Sequence, residues 1–368
     1  MINKKLFKLS LISLCFTTLI SCGNPGASED FEELSDDVQI RDYSSIFSPL
    51  PTRSLYPADN PYNKNKELLG ELLYWDPILS GDQNVSCASC HHPEFGWADG
   101  RPLSIGSDGI GLGPSRFGTE ITPLHTPSIM NVAFTGINNN VNLEEFVSGG
   151  YFWDLRVETL EDQALGPLKN PVEMLGYSFS QQEIMTEIIT RLQAIPQYVE
   201  LFQNSFPEES PINGKNIAKA IATFERKIIS PNTRFDSFLL GELEALSQQE
   251  VIGLNKFIDG GCSRCHSGSM LSDNLIHANQ AIIGNTVVRT PSLRNISYTA
   301  PYMHDGSRES LLDAIAAYED RGDIEVNIDD DDFNDLEAFL KTLNTDVFYS
   351  GKPNSVPSGL PVGGNIYE

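Results

Sequence analysis

The sequence predicts a mainly α-helical protein built as two domains. Three observations carry this. The chain has 368 residues, and at roughly 150 residues per domain that makes about two units, each large enough to bury a core. Apolar residues recur at helical spacing in one segment after another, while no sustained alternation requires a substantial sheet. The pattern C-x-x-C-H occurs at 87–91 and again at 262–266, once for each half. With 40% hydrophobic and 20% charged residues, most of the chain should fold. Its 25 Lys+Arg against 50 Asp+Glu leave a net charge of −25. That charge excludes unaided nucleic-acid binding, which needs a basic footprint, and leaves basic partners, neutral small molecules or cations.

The N-terminus reads as an address. Lys4, Lys5 and Lys8 precede an apolar run from Leu9 to Ile20, the pattern of a secretory signal over 1–21. Leu19-Ile20-Ser21-Cys22-Gly23 resembles a bacterial lipobox. The resemblance implies cleavage before Cys22, lipid on its sulfur, and an exported protein anchored at the cell envelope on the periplasmic side. Residues 22–61 are rich in Asp, Glu, Ser and Pro and read as a flexible tether. The first domain is expected over 62–212, the second over 213–349, and a tail over 350–368. Within them, Leu68, Leu69, Leu72 and Leu73 predict a helix over 64–75. Ile184, Ile188 and Leu192 predict one over 181–194, and Ile217, Ala220, Ile221 and Phe224 one over 214–229. Ser247 with Glu250 forms a capping-box pattern that opens a helix over 247–258. Helices over 310–319 and 333–343 close the chain. The Gly-rich stretch 100–118 reads as a long loop, and it does not follow a strand as a nucleotide-binding loop would. Asp329 to Asp332 lack the alternating spacing of an EF-hand and read as a solvated helix N-terminus.

Removing Cys15 with the signal and assigning Cys22 to lipid leaves Cys87, Cys90, Cys262 and Cys265. In an exported protein four cysteines usually mean two disulfides. Here each pair is followed directly by a histidine, His91 or His266. C-x-x-C-H binds haem: the two thiols add to its vinyl groups, and the imidazole ligates the iron. A thioredoxin-like redox pair wants a βαβ context, which is not visible here. A zinc site would need the two distant motifs to cooperate. Two such motifs with no leftover thiol point to two covalently bound haem c groups, one per domain.

With these motifs in place, the sequence resembles the bacterial dihaem cytochrome c peroxidase family, including its MauG-like branch. The resemblance runs from about Leu68 to Leu343. It rests on both haem motifs, Thr126-Pro127-Ser128, Phe152-Trp153-Asp154-Leu155-Arg156, the stretch QALGPLKNPVEM from Gln163 to Met174, Arg289-Thr290-Pro291-Ser292-Leu293-Arg294-Asn295, and TAPYMHDG from Thr299 to Gly306. It implies two cytochrome-c-like helical domains. The N-terminal haem would be peroxidatic and the C-terminal one an electron relay. Hydrogen peroxide is the implied substrate and a small periplasmic cytochrome c the implied donor. A MauG-like enzyme would instead oxidise side chains of a protein substrate through a bis-Fe(IV) state, and a non-catalytic dihaem electron-transfer protein is the third reading.

Site roles follow from the same resemblance. Trp153 matches the tryptophan between the haems. Glu173 matches the distal carboxyl that shuttles the peroxide proton, with Gln163 and Pro167 shaping that pocket. His91 and His266 are the proximal ligands. Tyr318, fourteen residues after His304, matches the second ligand of the relay haem and marks the MauG-like branch; Met303 is the alternative by proximity. No histidine lies between Pro93 and Leu124, where the ordinary peroxidases carry a distal ligand, so the first iron should be open at rest. Thr299 and Pro301 match backbone-carbonyl ligands of an interdomain calcium, and His125 stands where the family usually has asparagine. His304 is expected to support a haem propionate, and His277 has no assigned role.

Overall fold

The helix before the first haem motif shows how the chain is punctuated. The computed structural model describes residues 39–136, 150–277, 288–318 and 326–366, so the signal and the Cys22 lipobox lie outside the described residues. Helix α1 spans Lys64–Trp75; the Asn63 side chain caps it by accepting the Asn65 and Lys66 amides. Asp76-Pro77 ends it, because the residue before proline is pushed to extended backbone. The remaining helices among the described residues are α2 (Leu160–Leu165), α3 (Ile184–Gln193), α4 (Pro196–Ser205), α5 (Gly214–Glu225), α6 (Arg234–Leu239), α7 (Gln248–Asp259), α8 (Leu311–Ala316) and α9 (Phe333–Lys341). The Ser247–Glu250 capping box opens α7 as the sequence implies. The Asp329 side chain caps the turn at Asp330–Asp332 that leads into α9. Extended segments among the described residues meet only in isolated bridges.

Two hydrophobic cores lie inside one compact unit, Glu33–Glu368. The first gathers α1, α3, α4 and α5 around Leu69, Leu73, Tyr198 and Phe224; the second gathers α6, α7 and α9 around Phe235, Leu254 and Phe339. Three sequence boundaries move as a result. Helix α5 belongs to the first core, because its apolar face packs on α1, and the second core resumes only at Phe235. The expected tether is packed from Tyr43 onward, since Tyr43 and Phe47 bury their rings against Phe238 and Phe235. The expected tail returns to the first half, where Val356 and Ile366 are buried.

The same set of contacts occurs twice. A Cβ on Gly70 of α1 would stand 1.9 Å from the Ala220 carbonyl oxygen of α5, and one on Gly253 of α7 would stand 1.9 Å from that of Asp335 in α9. In each half, glycine lets two helices cross at backbone contact immediately ahead of a haem motif. Ser128 Oγ donates to the Gly96 carbonyl and Ser292 Oγ to the Met270 carbonyl, both at 2.6 Å. Asn131 and Asn295 both adopt left-handed backbone (φ 64° and 59°), and both side-chain amides donate to Ser230 Oγ. Tyr151 pairs with Val157, and Tyr302 with Arg308. Short helices then start at Leu160 and Leu311, capped by Thr159 and Ser310, whose side chains accept the Asp162 and Asp313 amides. Two residues past these tyrosines stand Trp153 and His304; sixteen residues past them stand Pro167 and Tyr318.

Candidate haem sites

Each haem motif forms one tight turn. Cys87–Ser89 and Cys262–Arg264 are single 3₁₀ turns, and the amides of His91 and His266 donate back to the Cys87 and Cys262 carbonyls at 2.9 and 3.0 Å. This presents two sulfurs and an imidazole from one short loop. The orientation of the rings is set next. His91 Nδ1 meets the Trp97 carbonyl at 3.3 Å and His266 Nδ1 meets the Leu271 carbonyl at 3.1 Å. A carbonyl only accepts, so in both rings the proton sits on Nδ1 and Nε2 keeps the lone pair that a metal requires. Burial holds both imidazoles neutral: it lowers His91 to about 4, and His266 shifts the same way. The thiols Cys87, Cys90, Cys262 and Cys265 are unpaired. The disulfide reading therefore fails, and the thiols remain available for thioether bonds.

The distal residues expected at the first motif stand on consecutive turns. Gln163 lies in α2, Pro167 opens a 3₁₀ turn at Pro167–Lys169, and Glu173 sits in a single π turn at Pro171–Leu175. Burial raises the pKa of the Glu173 carboxyl, against the opposing pull of Asn170 and Arg156. Asn170 Nδ2 donates to Glu173 Oε1 at 2.6 Å, while Asn170 Oδ1 accepts the Val172 amide. Glu173 faces the first motif closely enough for its charge to act on Cys90, whose thiol is pushed up to about 12, mainly by burial. The other two imidazoles of the first half face other neighbours: His92 packs against Trp75, and His125 lines the second cavity. His92 Nδ1 accepts the Glu94 amide and its ring packs edge-on to Trp75. His125 Nδ1 donates to the Arg101 carbonyl at 2.8 Å.

The second motif opens on a cavity of about 490 Å³, within the usual range for a cofactor site. Cys262, Cys265 and His266 line it, as do Tyr318, Met303, Trp153, Thr299 and Pro301. This donor set fits a covalent haem: two thiols, a neutral imidazole with its metal-binding nitrogen free, and a further donor on the same wall. Trp153 is buried, and its indole N–H donates to the His125 carbonyl at 2.8 Å; the His125 amide in turn donates to the His304 carbonyl at 2.8 Å. Trp153 therefore stands between the halves. His304 also lines the cavity, and its Nδ1 has no partner among the described residues. The calcium set is a poorer fit. Where an amide oxygen is expected, His125 presents an N–H already taken by carbonyls. His277 Nε2 bonds Asp273 Oδ2 at 2.6 Å beside Cys265. Once Cys265 is a thioether, that cluster retains two donors and is no metal centre.

Sequence reasoning did not find Asn170, Trp97 or Leu271. Asn170 lies within the stretch 163–174, where its side chain has no distinctive spacing. The other two act through backbone carbonyls, which leave no mark in side-chain patterns.

Comparison with known proteins agrees with this geometry. Residues 64–244 match the family model described as di-haem cytochrome c peroxidase. The chain is 31% identical over 317 residues to the methylamine utilization protein MauG of Methylorubrum extorquens, covering 79% of this chain and 81% of that protein. It is 34% identical over 310 residues to the cytochrome c peroxidase Ccp of Escherichia coli K12, covering 78% of this chain and 60% of the longer relative. Among solved structures, a MauG-like protein associated with microbial copper homeostasis superposes with a TM-score of 0.66 at 28% identity, over 81% of this chain and 95% of that one. The helical fold, the paired C-x-x-C-H turns and these matches together make the chain a member of the di-haem cytochrome c peroxidase family.

Proposed function

We propose that this protein reduces hydrogen peroxide at the haem attached to Cys87 and Cys90, with electrons delivered from a small c-type cytochrome through the second haem and Trp153. The observation that carries this reading is the half-buried Glu173 carboxyl facing the first motif, held by Asn170. The haem iron, when bound, supplies the peroxide-binding site and the electrons for cleaving the O–O bond. The rest falls to side chains. Asn170 occupies Oε1 of Glu173 and leaves Oε2 to take a proton from one peroxide oxygen and return it to the departing one. Burial raises its pKa, which favours the proton-holding form over that of an ordinary carboxyl. Gln163 and Pro167 border the same turns and orient the peroxide. A simple electron-transfer protein would have no use for a half-buried carboxyl there.

A second reading keeps the site and changes the electron source. Tyr318 on the wall of the second cavity favours the MauG-like branch, in which side chains of a partner protein are oxidised. A phenolate ligand stabilises high iron oxidation states and lowers the potential, so a cytochrome would supply electrons less readily. We also propose that the chain is exported and lipid-anchored through Cys22, on the strength of the 1–23 pattern alone. The deciding experiment is steady-state peroxide consumption by the mature dihaem protein with reduced cytochrome c. Turnover supports the first reading. Consumption only with a protein co-substrate selects the second.

A further inference from the structure

We propose that Trp97 and Tyr349 form a second exit for oxidising equivalents, leading from the first haem to the surface, where Tyr349 oxidises electron-rich phenols or aromatic amines too bulky for the distal pocket. This rests on the reading that peroxide is reduced at the His91 haem. Trp97 is fully buried, and its carbonyl holds the His91 ring. Its indole lies nearly parallel to the Tyr349 ring, with an interplanar angle of 16° and centroids 6.3 Å apart. The Trp97 N–H donates to the Tyr349 carbonyl at 2.8 Å, which fixes the pair. Tyr74 and Phe224 close around Trp97 and keep water from it.

The outer end is built for loss of a proton together with an electron. Tyr349 is half-buried beside the exposed Ser350. Its hydroxyl donates to Glu71 Oε1 at 2.5 Å, and Lys227 lies 4.0 Å from its ring centroid and 3.8 Å from Glu71 Oε2. Burial and the Glu71 carboxylate hold the phenol far above its ordinary pKa, so it stays protonated until oxidised. Packing alone would not need a hydroxyl aimed at a carboxylate.

The electrons balance. Each peroxide takes two electrons and two protons and leaves as two waters. For each electron, Trp97 donates to the first haem, Tyr349 donates to Trp97, and its O–H proton passes to Glu71. An aromatic donor at the surface then reduces Tyr349, and Glu71 returns the proton. This route is separate from Trp153, which faces the second cavity.

The test mixes the ferric dihaem protein with hydrogen peroxide and a nitroso spin trap, then maps the adduct by peptide mass spectrometry. Freeze-quench EPR with ring-deuterated tyrosine reads the radical type. An adduct on Tyr349 is expected, absent in Tyr349→Phe, which keeps the stacked ring, and diminished in Glu71→Gln, which keeps the shape but removes the proton acceptor. Oxidation of the bulky dye ABTS should fall in both variants, while peroxide consumption with cytochrome c holds in Tyr349→Phe. Wild-type ABTS oxidation by Tyr349→Phe, or an adduct elsewhere with Tyr349 unmodified, overturns the proposal. A dihaem protein that consumes no peroxide at all removes the underlying reading with it; one that consumes peroxide and leaves Tyr349 untouched removes this inference alone.

Discussion

Glu173 gains its character from where the π turn puts it, and its chemistry is the most direct to test at the level of one side chain. Removing its proton-carrying ability with Glu173→Gln should leave both haems attached and slow peroxide turnover by about 10²–10⁴. The pH profile adds a sign. Burial raises this carboxyl above its ordinary value of 4.5, so the base form that accepts the peroxide proton is lost as pH falls through that raised value. Activity should therefore decline on the acid side at a pH above 4.5, and Glu173→Gln should abolish that limb while lowering the plateau. The relay haem offers a parallel pair of substitutions, because Tyr318 and Met303 line one cavity. Tyr318→Phe is expected to change the low-spin spectrum of one haem and raise its potential, whereas Met303→Leu leaves both unchanged. The reverse outcome in EPR and redox titration would assign methionine as the ligand.

At the scale of elements, each half depends on one helix crossing. Gly253→Ala places a Cβ against the Asp335 carbonyl and the Phe339 side chain. Helices α7 and α9 must then separate, and overpacking of this kind costs about 1–3 kcal/mol, more where backbone has to move. Thermal unfolding should begin earlier, and haem attachment at Cys262 and Cys265 should fall in the purified protein. The crossing partners were only half legible in the sequence. The periodicity of α1, the Ser247 cap of α7 and the acidic start of α9 could all be read, because caps and apolar stripes are local signals. Which helix meets which could not, since Gly70 and Gly253 look like ordinary interruptions until a second backbone lies against them. The site divides the same way. Cysteines and histidines announce themselves by spacing, while Glu173 is one acid among fifty until its turn is folded. Residues 39–61 and 350–366 misled for a related reason: their few buried side chains, such as Phe47 and Ile366, sit among Pro, Gly, Ser and Asp with no period to follow.

For the molecule as a whole, the doubled contact set carries one difference that would give two kinds of iron site. Sixteen residues past the paired tyrosines, one half carries Pro167, which has no donor atom, and the other carries Tyr318. With the His92 ring packed against Trp75 and His125 lining the second cavity, the first site is expected to be open in the oxidised protein. Stopped-flow absorbance should show the fully ferric form reacting with peroxide at once, with a high-spin component at rest. A requirement for prior one-electron reduction would mean that a ligand closes the site. The returning C-terminal segment bears on how such a protein comes to exist. The Gly363 amide bonds the Trp75 carbonyl at 2.7 Å, Ser89 of the first haem turn donates to the Gly363 carbonyl, and the Asn365 amide bonds the Asn84 carbonyl. A segment that follows the second core in sequence thus completes a wall around the first haem turn, although domains ordinarily fold from the N-terminus as they emerge. The first half has to wait, unfinished, for the second. Cutting the chain between the two cores should therefore strip the first of this wall, and a disturbance at 363–365 should reach the distant Cys87 turn before the Cys262 turn that is nearer in sequence.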